Sequence, residues 1–77
     1  MVTSAQIRAA RALLGWTVRD LADKAGVHRN TVTRAENETG GPGYAAAAIR
    51  ATLEAAGVDF IPENGGGAGV RMRNSDG

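Results

Sequence analysis

The sequence predicts a mainly α fold, with four short helices and then a short C-terminal β-hairpin. Three observations carry that expectation. Gly15, Gly26 and Gly57 each follow an apolar pattern with helical spacing, where a left-handed cap ends a helix. Threonine or serine stands just before the first two of those patterns, as an N-cap should. From Val58 onward the pattern changes to alternation, the period of a strand.

The first helix starts at a Thr3 or Ser4 cap. Ile7, Ala10, Arg11 and Leu14 share one face through 3/4 spacing, and Leu13 widens the apolar side. Gly15 ends it, and Trp16 is placed to staple onto the next helix. Thr17 opens the second helix with Asp20 three residues on, a capping-box spacing that also sets an acid at the positive helix end. Leu21, Ala22 and Ala25 form its buried stripe, and Gly26 ends it. The third helix runs from His28 or Arg29 to about Asn37. Val32 and Ala35 face inward, leaving Arg29, Asn30, Thr33 and Arg34 outward.

Residues 37–43 carry three glycines and a proline and no apolar side chain, so they form a loop. A fourth helix spans Tyr44 to Ala56, with Ile49, Leu53 and Ala56 on its core face. Thr52 sits at the edge of that face, its hydroxyl free to bond back to the helix. VDFI (58–61) and VRMR (70–73) alternate around a glycine-rich middle, which suggests a hairpin with a loose tip. An isolated hairpin is marginal in water, so it either packs on the helices or pairs with a second chain through an edge. Residues 74–77 are expected to be disordered.

Composition narrows the function. Seventy-seven residues suffice for one domain with a modest core, and only one Trp, one Tyr and one Phe contribute aromatic anchors. A domain this small gains from pairing. The absence of cysteine excludes disulfides, thiolate metal sites and cysteine nucleophiles, and one histidine builds no zinc site. No cofactor is expected. No apolar run approaches the roughly 20 residues needed to span a bilayer, and the first 16 residues lack a signal-peptide core. The expected location is cytoplasmic, at the nucleoid.

Net charge is only +1, from nine basic and eight acidic side chains, so any nucleic-acid contact depends on how the charge is distributed. Eight of the nine basic residues are arginine, the side chain suited to phosphates and guanine edges. The run GGGAG (65–69) is not a phosphate loop, because an alternating strand follows it and no Lys-Ser/Thr closes it. With no paired acid and base, an enzyme is not expected.

The stretch 17–36, TVRDLADKAGVHRNTVTRAE, reads as two helices joined at Ala25-Gly26-Val27: a helix-turn-helix whose second helix suits the DNA major groove. It resembles the phage-repressor/Cro, or xenobiotic-response-element, class of helix-turn-helix regulators. The resemblance rests on Leu14-Gly15-Trp16, Thr17, Leu21-Ala22, Ala25-Gly26-Val27, Thr31-Val32 and Arg34-Ala35-Glu36-Asn37, and on Pro42 followed by Ile49 and Leu53. It covers about residues 4–57.

The resemblance implies a four-helix lambda-repressor-like domain over residues 1–57, with the motif at 17–36; the alternating tail at 58–73 is read separately, as a hairpin and a candidate dimerisation element. The resemblance further implies a transcriptional regulator acting on double-stranded DNA as a homodimer. Arg29, Asn30, Thr33 and Arg34 would read base edges. Thr17, Arg19, His28, Asn37 and the backbone N–H of Gly41 would hold phosphates. Arg11 and Glu36 would form a buried structural pair.

Three departures weaken the expected grip: Val18 stands where the family often has Gln, the 37–43 loop lacks a cation, and Ala35 is small. The typical fifth helix is replaced by the hairpin. If the hairpin only covers the core, pairing falls to the fourth helix. The alternative from a different class is a protein-interaction module, antitoxin-like or an adaptor to RNA polymerase or another regulator.

Overall fold

The fold is taken from a computed structural model, which describes residues 2–37, 43–63 and 65–73. Gly41 and residues 74–77, both singled out above, lie outside the described residues. The order is α1 (Ser4–Leu14), α2 (Val18–Ala25), α3 (Arg29–Asn37), a 3-10 turn (Gly43–Ala45), α4 (Ala46–Ala55), β1 (Val58–Ile61) and β2 (Gly69–Met72). The protein is therefore mainly helical, with four helices and a two-strand antiparallel hairpin.

Local chemistry sets the helix ends. Thr3 caps α1 in a full capping box with Gln6, and Thr17 caps α2 in one with Asp20. Gly15 and Gly26 close the two helices with φ of 69° and 71°, conformations a Cβ would strain. At the fourth helix the expectation moves by one turn. Tyr44 lies in the 3-10 turn and is 87% exposed, and regular α4 begins at Ala46. Leu13 also departs, being 47% exposed. It falls off the stripe that buries Ile7 and Ala10.

The core joins all four helices to the hairpin: Ile7, Leu21, Val32, Ile49, Leu53 and Val58 are fully buried. Each such side chain contributes about 1.5–3 kcal/mol on burial. The second strand runs one residue earlier than expected, at Gly69–Met72, in register Val58↔Met72 and Phe60↔Val70. Arg73 follows the strand, and its N–H donates to the Gly57 carbonyl one step further along the same register.

The hairpin packs against α1 and α4. Gln6, only 3% exposed, clamps it there: its amide nitrogen donates to the carbonyls of Ile61 (3.0 Å) and Gly69 (2.8 Å). The Glu63 carboxylate closes the tip by accepting from the N–H of Gly67 at 3.1 Å.

Candidate nucleic-acid interface

The interface begins at the turn between α2 and α3. Val27 donates its N–H back to the Ala22 carbonyl and packs against the core, so the turn is fixed from both sides. Val18 also packs against the core. The departure from Gln there exchanges a polar contact for burial.

The next fixed point is the far end of α3. Glu36 is almost buried, and Arg11 reaches it with two bonds, Nε to Oε2 at 2.7 Å and Nη2 to Oε1 at 3.1 Å. Arg11 also donates to the Trp16 carbonyl at 3.0 Å. The hydrogen bond to Glu36 raises the Arg11 pKa above its ordinary value, with burial opposing it. A fork-to-carboxylate pair of this kind fixes orientation as well as charge. Sequence reasoning missed a second hold. Arg8, which falls off the α1 core stripe, donates to the Glu36 carbonyl at the C-terminal end of α3. Two α1 arginines thus grip one residue of α3.

With that end held, α3 presents Arg29, Asn30, Thr33 and Arg34 to solvent. Their spacing places all four on one face. Among the described residues, Arg19, Arg29 and Arg34 make no ion pair. Their charge therefore remains available to an external anion.

His28 sits at the α3 N-cap, and its Nδ1 accepts the Asn30 N–H at 3.0 Å. The imidazole therefore caps the helix, the role Ser or Thr commonly fills. With Nδ1 accepting, any donor role of the ring falls to Nε2. Thr17 accepts the Asp20 N–H at 3.0 Å, and its own hydroxyl proton remains to be donated. The Asp20 carboxylate accepts the Thr17 N–H at 2.9 Å, which holds its pKa below the ordinary carboxylate value. At the other end Asn37 spends one amide hydrogen on the Thr33 carbonyl at 2.8 Å.

A shallow groove of about 250 Å³ runs between α2 and α3, edged by Arg19, His28, Arg29 and Asp23. Three of these suit a phosphate and Asp23 opposes one. The structure thus brings Arg19, His28 and Arg29 together at the mouth of the turn, with Asn30, Thr33 and Arg34 on the exposed face beyond.

The sequence model of the helix-turn-helix family matches residues 7–47, just over half of the chain. The chain belongs to the helix-turn-helix family. It is of the XRE/Cro-C1 type, and the matched span holds α1 from Ile7 onward, α2, α3 and the start of α4. A DNA-binding helix-turn-helix protein is thereby shown, in a family of regulatory domains rather than enzymes. No curated protein matches the chain significantly. No helix among the described residues is long and apolar enough to cross a membrane.

Proposed function

We propose that this protein is a sequence-specific transcriptional regulator that lays α3 in the DNA major groove and acts as a homodimer on a two-fold site. One observation carries the reading. Arg29, Asn30, Thr33 and Arg34 stand exposed on one face of a helix whose far end is locked by Arg11. Arginine donates two bonds to guanine O6/N7, asparagine pairs with adenine N6/N7, and threonine meets a thymine methyl or a phosphate. Thr17, Arg19, His28 and Asn37 hold the DNA backbone around it. Such backbone contacts fix register and make binding fall steeply with salt.

Selection of bound DNA from a random pool tests the reading. A palindrome with half-sites about one turn apart, roughly 34 Å, is the expected outcome. Arg29→Ala and Arg34→Ala should each weaken binding to that site on the order of 10- to 100-fold. Unchanged binding in both would sink the recognition-helix assignment.

A second reading is a protein-interaction module, antitoxin-like or an adaptor to RNA polymerase. Asp23 at the mouth of the α2–α3 groove favours it, since an acid there repels a phosphate backbone. The same selection separates the two, because an interaction module enriches no DNA sequence.

A further inference from the structure

The solvent face of α4 differs from those of α2 and α3. α2 exposes Arg19, Asp20, Asp23 and Lys24, and α3 exposes two arginines. The outermost face of the last helix and its lead-in turn consists of Tyr44, Ala47, Ala48, Ala51 and Ala55, all exposed and none charged, with the half-exposed Arg50–Glu54 ion pair along its flank. A helix face in water is ordinarily polar, and a contiguous apolar face marks a contact surface.

The face has a projection and a recess. Tyr44 projects at one end, 87% exposed. At the other end a groove of about 500 Å³ is lined by Ala51, Ala55, Ala56, Thr52, Trp16 and Lys24. The Thr52 hydroxyl turns inward to the Ala48 carbonyl at 2.9 Å, which leaves its methyl for the groove. The Lys24 ammonium lies 5.2 Å from the Trp16 ring centre.

We propose that this face pairs α4 with α4 of a second copy, antiparallel across a two-fold axis, with Tyr44 of each copy seated in the other's groove beside Trp16. The spacing supports it. Ala48, Ala51 and Ala55 recur at intervals of 3 and 4, the seam of a paired helix, and Tyr44 of the lead-in turn stands four residues before them. Reversing the helix about the midpoint between residues 49 and 50 sets Tyr44 against Ala55 and Ala48 against Ala51. Projection and recess then meet twice, the self-complementarity a two-fold dimer requires. Alanines along the seam allow close approach of the backbones, and an aromatic anchor in a pocket supplies the energy.

The hairpin is the weaker candidate. Gln6 holds its backbone to α1. Its exposed Arg71 and Arg73 pair with Asp59 at 3.8 and 3.1 Å, and Met72 alone of its large apolar side chains is exposed. A single helix pair about 20 Å long lies at the small end of stable interfaces, so the pairing is concentration-dependent and reinforced when both copies sit on one DNA.

The inference rests on the reading of a regulator that works in pairs, and two measurements separate it from that reading. Mass by light scattering on the full chain, followed up to near-millimolar concentration, reads the interface. Ala51→Glu keeps a good helix former at an exposed site, and in the paired state it brings two carboxylates within about 4.5 Å along the axis. Its mass should fall to that of a monomer. Ala48→Lys/Ala51→Glu, which sets each introduced cation against the partner's carboxylate, should restore the dimer.

A wild-type chain that stays monomeric throughout, or an Ala51→Glu chain that dimerises as well as wild type, would overturn the proposal.

Gel shifts on a single half-site read the DNA assignment independently. Ala51→Glu should bind the half-site like wild type and the two-half-site DNA about 100-fold more weakly than wild type does. A wild-type chain that fails on the half-site while dimerising through α4 counts against the DNA reading alone.

Discussion

The Gln6 side-chain amide donates to the Gly69 carbonyl at 2.8 Å, joining the first turn of α1 to the last strand. The same side chain completes the α1 capping box by accepting the Thr3 N–H at 2.8 Å, and bonds the Ile61 carbonyl as well. One residue therefore starts the first helix and fastens the tail. Gln6→Ala should cost about 1–3 kcal/mol, since it removes the partner of partly buried backbone groups. That corresponds to a melting temperature lower by on the order of 10 °C for a domain of this size. Gln6→Glu keeps the acceptor for Thr3 but faces two carbonyls with a carboxylate, so it should not rescue. A loss below 1 kcal/mol in Gln6→Ala would show that the clamp adds little.

Arg11 and Glu36 should behave as a unit. Arg11→Met leaves a nearly buried carboxylate without its main partner and should cost about 3–5 kcal/mol by urea denaturation. Arg11→Met/Glu36→Leu should recover most of that, because an apolar pair suits the site nearly as well. Additive losses in the double variant would refute the coupling.

The Asp20 cap sets a pH limit. The Thr17 backbone N–H holds the Asp20 carboxyl below its ordinary pKa, so folding favours the ionised form. Its stabilisation is complete above the ordinary carboxylate value of about 4 and is lost as pH falls through the lowered folded value. Asp20→Asn should flatten the acid limb of a plot of melting temperature against pH. An unchanged limb would assign the acid sensitivity elsewhere.

His28 has separable duties. His28→Ala should cost about 1 kcal/mol through the lost α3 cap. His28→Asn should restore stability, because its Oδ1 can take the place of Nδ1 at the Asn30 N–H. If Nε2 reaches a phosphate, His28→Asn should still bind DNA more weakly than wild type. Equal binding would confine His28 to capping.

Arg19 should act on all sequences alike. Arg19→Ala should lower the slope of log affinity against log salt by about 1 and leave sequence preference unchanged. A shifted preference would mean that Arg19 reads bases.

Features set by neighbours in the chain were legible beforehand. Thr3, Thr17, Gly15 and Gly26 act within one helical turn, so spacing alone identifies them. The exposure of Arg29, Asn30, Thr33 and Arg34 follows from the inward positions of Val32 and Ala35 in the same way. The Arg11–Glu36 contact crosses the fold, and only the family resemblance suggested it.

Gln6 and Arg8 gave no signal, because their partners lie 55 to 63 and 28 residues away and any polar residue on α1 reads as solvated. The start of β2 was misjudged by one residue because Gly69 has no side chain to mark alternation. Tyr44 reads as a helix opener, yet it lies in the 3-10 turn Gly43–Ala45, which leaves the ring in solvent.

Trp16 is the sole tryptophan, half-buried where α1, α2 and α4 converge and stacked under the Lys24 ammonium. Intrinsic emission excited at the red edge of protein absorption therefore comes from one address. A shift in its colour or its accessibility to iodide reports on that junction without any label, so the molecule carries its own optical gauge of what settles against α4.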